Sequence, residues 1–162
     1  MKMRNAFVRK LTELVSNNKD IYLLTGDLGF SVFDDFKERF PENYINVGLS
    51  ESNMVGMAAG MAMEGMQVFI YSIIPFITFR VLEHIRNDIC EQNLPVKIVG
   101  VGEGITYATE GPTHHSIEDI GVMASLPNIT VLSPGDPIEV EKLVEQTLNL
   151  NSPVYIRLGR SG

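Results

Sequence analysis

The fold is set most clearly by residues 44–72, which read YINVGLSESNMVGMAAGMAMEGMQVFIYS. This stretch begins and ends with short apolar runs, YINVG from Tyr44 and VFIYS from Val68, and each run predicts a buried strand. Between them, residues 51–64 place methionine and alanine side chains on one face at helical spacing. A strand, a helix and another strand in this order predict a parallel βαβ unit.

The same alternation continues in both directions along the chain. Six strands are predicted, at 21–25, 44–48, 68–72, 96–101, 129–133 and 154–158. Helices are predicted at about 4–17, 33–40, 51–64, 76–92 and 116–124, followed by a helix that Asp136 caps and Pro137 begins. Because the strand runs are apolar on both faces, we expect an open, doubly wound parallel α/β sheet with helices on both faces.

Composition limits what such a domain can bind. The 162 residues include 13 Lys and Arg against 20 Asp and Glu, a net charge of −7 that opposes binding to nucleic acid or to an anionic membrane. Cys90 is the only cysteine, so no intramolecular disulfide or cysteine-based zinc site is expected. No apolar run approaches the roughly 18 residues of a membrane span. The sequence therefore predicts one soluble, cytoplasmic domain over residues 1–162.

Glu51 is a candidate functional residue at the start of the predicted helix 51–64. One interpretation makes it a first-turn carboxylate stabilised by the helix dipole. The other notes that apolar Leu49, Met54 and Val55 surround it in sequence, so partial burial would fit it for proton exchange. The residues alone leave both interpretations open.

A second candidate region is the loop at 102–113 and the helix start that follows it. His114 and His115 lie at this junction, where they could donate protons or hydrogen bonds to a bound anion or hydroxyl. Hydrogen bonds from both histidines to loop carbonyls are the structural alternative. His114 and Glu118 have the spacing of two metal ligands, but no third ligand is placed by spacing, so no metal site is predicted.

Taken together, five segments in order resemble the pyrimidine-binding (Pyr) domain of thiamine-diphosphate enzymes, in the transketolase and deoxyxylulose-phosphate synthase group. They are 26–31 (GDLGFS), 48–54 (GLSESNM), 76–86, 110–114 (EGPTH) and 153–160. The resemblance covers essentially the whole chain. It implies a single Pyr domain at 1–162, with the family's PP domain and C-terminal transketolase domain absent from this sequence.

The resemblance implies roles for residues near the cofactor. The family glutamate at the position of Glu51 hydrogen-bonds N1′ of the aminopyrimidine, which allows the cofactor to remove the proton from its own C2. Phe76, or alternatively Phe79, would stack on the aminopyrimidine. Asp27 matches an aspartate near the thiazolium.

Substrate-binding positions are implied in the same way. His114 falls on the histidine that faces the substrate carbonyl and hydroxyl, and Glu110 replaces the usual aspartate of that contact. Ser31 and Arg160 fall on positions that bind a sugar phosphate. Gly102 departs from the family, because transketolases proper carry a further active-site histidine there.

The expected function is therefore half of an active site. The Gly-Asp-Gly element that binds Mg²⁺ and diphosphate in the PP domain is missing, since Leu28 stands where its second glycine belongs. A separate PP subunit would supply both, in a homo- or hetero-oligomer that transfers a two-carbon or acyl group between small sugar or keto substrates. A β-subunit fragment of a 2-oxo acid dehydrogenase is the alternative enzyme, and a non-catalytic assembly module is the alternative without catalysis.

Overall fold

The computed structural model describes residues 1–29 and 31–159 and centres on a six-stranded parallel sheet. Its strands are β1 (Ile21–Thr25), β2 (Tyr44–Asn46), β3 (Gln67–Ile73), β4 (Lys97–Val101), β5 (Thr130–Leu132) and β6 (Val154–Leu158). They lie in the order β2-β1-β3-β4-β6-β5, and every neighbouring pair is parallel. The chain moves outward from β1 to β2 and then returns to the other side of β1. This reversal makes the carboxyl ends of β1 and β3 a topological switch point, where ligands of open α/β sheets bind.

Helices pack against both faces of the sheet, as the sequence predicts. They are α1 (Met3–Asn17), α2 (Asp34–Arg39), α3 (Glu51–Met63), α4 (Ile74–Ile77), α5 (Leu82–His84), α6 (Asp119–Ala124) and α7 (Pro137–Thr147). Alternate strand side chains enter two separate cores, so that Leu23 belongs to the core formed with α1 and α7 while Leu24 belongs to the core formed with α3 and α6. The doubly wound α/β fold is confirmed. No helix within the described ranges is both long and apolar enough to cross a membrane.

The predicted helix at 76–92 is wrong in detail, because this segment is broken. After α4, Thr78 donates its hydroxyl hydrogen to the Ile74 carbonyl at 2.6 Å, and 3₁₀ turn Phe79–Val81 follows. After α5 the chain widens into a π-helical segment, Ile85–Cys90, in which Glu91 N–H bonds to the Arg86 carbonyl five residues earlier. A π segment carries the same apolar residues as an α-helix, so the hydrophobic pattern could not distinguish the two.

Two helix starts show how local hydrogen bonds fix a boundary. Asp136 caps α7 as predicted, since its Oδ1 accepts hydrogen bonds from the backbone of Ile138 at 2.7 Å and Glu139 at 2.9 Å. The helix predicted from Ser116 begins only at Asp119, because Ser116 is paired with Gly104 through two backbone hydrogen bonds. That pairing closes the loop that carries the two histidines.

Candidate active site

Glu51 lies at the switch point of the sheet with its side chain almost fully buried, only 2% exposed. It is the first residue of α3, and its Oε1 accepts a hydrogen bond from the Ser72 hydroxyl of β3 at 3.3 Å. Gly26, directly after β1, lies so close that a Cβ there would be 3.4 Å from the same oxygen. The burial expected for Glu51 is present. Leu49 does not contribute to it, because Leu49 follows a turn that leaves it 79% exposed.

Arg80 is the ion-pair partner of Glu51, and sequence reasoning missed it. Its guanidinium Nη1 lies 3.2 Å from Glu51 Oε2, and the group also lies over the Phe76 ring, 4.2 Å from the ring centroid. The Arg80 side chain is 52% exposed, so one member of the pair faces solvent while the other is buried. The two residues are 29 positions apart, and no sequence spacing signals such a pair.

Phe76 and Phe79 both line one cleft of about 560 Å³ beside this pair. The remaining wall is formed by Pro75, Arg80, Pro112, Thr113, His115, Glu118 and Val122. The cleft is therefore apolar and aromatic on one side and carries a few polar groups on the other. Both phenylalanines that are candidates for stacking on the aminopyrimidine therefore lie in the wall of the same cleft.

His114 lies at the edge of this aromatic group. Its ring makes an edge-on contact with the Phe76 ring at 5.0 Å between centroids, and Tyr107 lies 6.2 Å away. Its Nδ1 is within 3.0 Å of the Thr113 hydroxyl, so the hydrogen bond goes to a side chain and not to a loop carbonyl. His115 Nε2 is buried and has no hydrogen-bond partner within the described part of the chain. Glu110 lies on the same loop and is exposed.

A network around Arg157 fixes the histidine loop to the sheet. From β6, Arg157 bonds to Asp119 at 2.8 Å, to Glu103 at 2.7 Å and to the Ser116 carbonyl at 3.3 Å. The Tyr155 hydroxyl donates to the same Asp119 oxygen at 2.7 Å, and burial raises the pKa of this phenol far above its usual range. The network joins both ends of the loop to one strand.

Asp27 occupies the turn after β1 in a left-handed conformation, with φ of 52°. Asn46 holds it there, because the Asn46 amide donates to Asp27 Oδ1 and accepts from the Asp27 backbone N–H, each at 3.0 Å. The same Asn46 oxygen accepts from Gly48 N–H at 3.0 Å. Asn46 therefore joins the turn of Asp27 to the segment that leads to Glu51.

Ser31 lies beside a different cleft, of about 750 Å³, between α1 and the segment after β1. Arg4 lines this cleft too, and its Nε is buried without a hydrogen-bond partner among the described residues. Arg160, expected to bind the same group as Ser31, lies outside the described residues. Among the residues that the structure does describe, no group of three His, Cys, Asp or Glu side chains is arranged to hold a metal ion.

Comparison with known proteins identifies the family. The family described as transketolase, pyrimidine binding domain, matches residues 1–162. The chain belongs to this family. It is 36% identical to one subunit of an apulose-4-phosphate transketolase from Phocaeicola vulgatus, over 98% of its length and 51% of that protein. It is also 31% identical to a 1-deoxy-D-xylulose-5-phosphate synthase of Clostridium perfringens, over 98% of the chain and 25% of that protein.

A solved transketolase structure shows the same fold. The structure described as "Split gene transketolase, inactive beta4 tetramer" superposes with a TM-score of 0.90 and 38% identity, over 100% of this chain and 52% of that one. The transketolase-like assignment is thereby supported over the 2-oxo acid dehydrogenase alternative. This Pyr domain spans about half the length of the transketolase subunits it matches.

The glycine at position 102 has a structural reason in this Pyr domain. Gly102 has φ of 94°, and a Cβ at this position would overlap the Tyr107 ring. The Tyr107 ring therefore fills the space that the Cβ of a side chain at position 102 would occupy. A histidine cannot replace Gly102 unless Tyr107 moves.

Proposed function

We propose that this domain is the Pyr half of a thiamine-diphosphate-dependent, transketolase-like transferase that is active only with a PP-domain subunit. The observation that carries the proposal is the buried carboxylate of Glu51, held at the switch point beside a cleft with Phe76 and Phe79 in its wall. Domains of this fold bind ligands at that point of the sheet.

The residues present fit an aminopyrimidine. Such a ring is flat and carries a basic nitrogen, so it needs an aromatic face on which to stack and a carboxylate within reach. Bound thiamine diphosphate would supply a nucleophilic thiazolium carbon that adds to the carbonyl and an electron sink that accepts the pair released when the neighbouring carbon–carbon bond breaks. In this proposal Glu51 shares a proton with N1′, Phe76 or Phe79 stacks on the pyrimidine, and Asp27 lies near the thiazolium. Mg²⁺ and the diphosphate belong to the PP subunit.

We place the substrate between the loop that carries His114 and the cleft that Ser31 lines. His114 contacts the substrate carbonyl or hydroxyl, and Glu110 contacts a neighbouring hydroxyl. Ser31 and Arg160 bind a phosphate or another anion, and Arg4 lines the same cleft as Ser31 with an unpaired guanidinium nitrogen. The Phocaeicola vulgatus relative is named for a sugar phosphate, which supports an anionic sugar or keto substrate.

The partner and assembly are proposed on the same basis. The Phocaeicola vulgatus relative is named as one subunit of its transketolase, which supports a separate PP subunit here. The tetramer named in the solved split transketolase supports an oligomer. We also place the enzyme in the cytoplasm, where the free, buried thiol of Cys90 would stay reduced.

Reconstitution tests this function. The pure chain should not bind thiamine diphosphate and Mg²⁺ tightly in calorimetry, whereas adding a co-purifying PP subunit should give cofactor-dependent ketol transfer. A dissociation constant below about 1 µM for the pure chain would contradict the half-site arrangement. Addition of the partner to Glu51→Gln should restore assembly but not transfer, and full transfer by this variant would remove Glu51 from the site.

A further inference from the structure

The Arg80 guanidinium makes the contacts that an aminopyrimidine would need. It lies over the Phe76 ring at 4.2 Å and hydrogen-bonds to Glu51 Oε2 at 3.2 Å. A guanidinium is planar, cationic and a hydrogen-bond donor. An aminopyrimidine protonated at N1′ has the same three properties. Both groups therefore fit the same binding surface, an aromatic face next to a buried carboxylate.

Burial of Glu51 explains why its carboxylate needs a cation beside it. A carboxylate that is 2% exposed is costly unless a positive group or hydrogen-bond donors compensate it. Ser72 supplies one hydrogen bond, from a neutral hydroxyl. Arg80 supplies the positive charge, and its pair with Glu51 is the ion pair that the described residues provide for this carboxylate.

Arg80 can leave this position easily. Its side chain is 52% exposed, and it extends from the short 3₁₀ turn between Thr78 and α5, where no long helix holds it. The described residues hold it by one ion pair, of which only the guanidinium side faces solvent, and by one cation–π contact, which is weak at an exposed site. Rotation of the side chain into solvent would uncover Glu51 and Phe76 together.

We infer that Arg80 is an internal competitor of the cofactor, a guanidinium latch that contacts the same carboxylate and aromatic ring as the aminopyrimidine and is displaced when the pyrimidine binds. The inference rests on the proposed function, since it takes Glu51 and Phe76 as the pyrimidine contacts. The latch keeps the buried carboxylate compensated before the cofactor arrives. It also reduces the apparent affinity for the pyrimidine by the fraction of molecules in which Arg80 is in place.

The test measures binding of 4-amino-5-hydroxymethyl-2-methylpyrimidine, the pyrimidine part of the cofactor, to the full chain by NMR titration. Arg80→Ala should bind this probe about tenfold more tightly than the unchanged chain, because one exposed ion pair and one cation–π contact no longer compete. Arg86→Ala is the matched control, since Arg86 is similarly exposed and pairs with Glu91 instead. It should leave the affinity unchanged.

Further variants distinguish a failure of the Arg80 latch from a failure of the proposed role of Glu51. In the unchanged chain, the Arg80 Nε–H signal should shift as the probe binds, and in the double variant Glu51→Gln with Arg80→Ala the gain in affinity should disappear. Equal or weaker binding by Arg80→Ala would overturn the latch, and so would an Nε–H signal that does not move. If Glu51→Gln leaves probe binding unchanged in every background, the proposed role of Glu51 fails as well.

Discussion

Two buried carboxylates in this domain are paired with arginines, and the two pairs are built differently. Glu51 pairs with Arg80, whose side chain is 52% exposed and makes one hydrogen bond to the residues that the structure describes, to that carboxylate. Asp119 is fully buried and pairs with Arg157, whose side chain is only 13% exposed. Arg157 also bonds to Glu103 and to a backbone carbonyl, so three separate contacts hold it.

The difference indicates that a ligand can replace Arg80, whereas Arg157 is held in place. Loss of Arg157 would leave a carboxylate without its charge partner inside the protein and release the loop that carries His114. Loss of Arg80 would leave Glu51 beside an open cleft, where water or a ligand can replace the guanidinium. We therefore assign the Arg157 network to stability and the Glu51 pair to ligand exchange.

Arg157→Ala should have the largest effect on stability. It removes the charge partner of fully buried Asp119, so we expect a loss of about 3 kcal/mol in the free energy of unfolding. Urea denaturation followed by circular dichroism measures this change. Arg39→Ala, which removes an exposed pair with Asp35, should cost less than about 0.5 kcal/mol. A similar cost for the two variants would contradict the structural role of the Arg157 network.

Lys97 extends the comparison to a buried cation that has no carboxylate partner among the described residues. Its Nζ donates to the Pro95 carbonyl at 2.7 Å and to the Gln67 side chain, and burial lowers its pKa to about 8. Between pH 8 and 10.5 the unfolded chain therefore binds more protons at this residue than the folded chain. Its contribution to the unfolding free energy should rise by about 3 kcal/mol as the pH increases through that window, and the full penalty applies well below pH 8.

Lys97→Met provides the control for this pH dependence. The difference in unfolding free energy between the unchanged chain and the variant isolates the lysine, because Cys90 acts in the opposite sense. Burial raises the pKa of the Cys90 thiol to about 11, which costs stability as pH rises above 9. A difference that stays constant from pH 7 to 10.5 would show that Lys97 does not titrate abnormally.

Arg80→Ala should have a much smaller effect on stability than Arg157→Ala, about 1 kcal/mol or less, because the arginine is half exposed and makes fewer contacts than Arg157. The same urea denaturation should place this variant nearer to Arg39→Ala than to Arg157→Ala. A loss as large as that of Arg157→Ala would show that both arginines are structural. The distinction between the two pairs would then fail.

The sequence predicts local structure well and these pairs poorly, for a physical reason. Strands 21–25 and 154–158 are found as predicted, because a short, continuous apolar run is typical of a parallel strand that is buried on both faces. Glu51 and His114 could be proposed through the family resemblance. Arg80 and Arg157 could not be proposed. Arg80 lies 29 positions from its carboxylate and Arg157 lies 38 positions from its own, and residue spacing does not indicate how the elements that carry them pack together. The broken segment at 76–92 was missed because its apolar pattern is that of a helix.

Hydrogen–deuterium exchange at C2 of thiamine diphosphate, in the domain assembled with its PP subunit, tests the central claim most directly. The claim is that the buried carboxylate of Glu51 activates the cofactor. Glu51→Gln keeps the size of the side chain and removes the shared proton, so C2 exchange should slow by about a thousandfold while the unfolding free energy changes little. Exchange in Glu51→Gln at the rate of the unchanged enzyme, with the cofactor bound in both, would contradict the account.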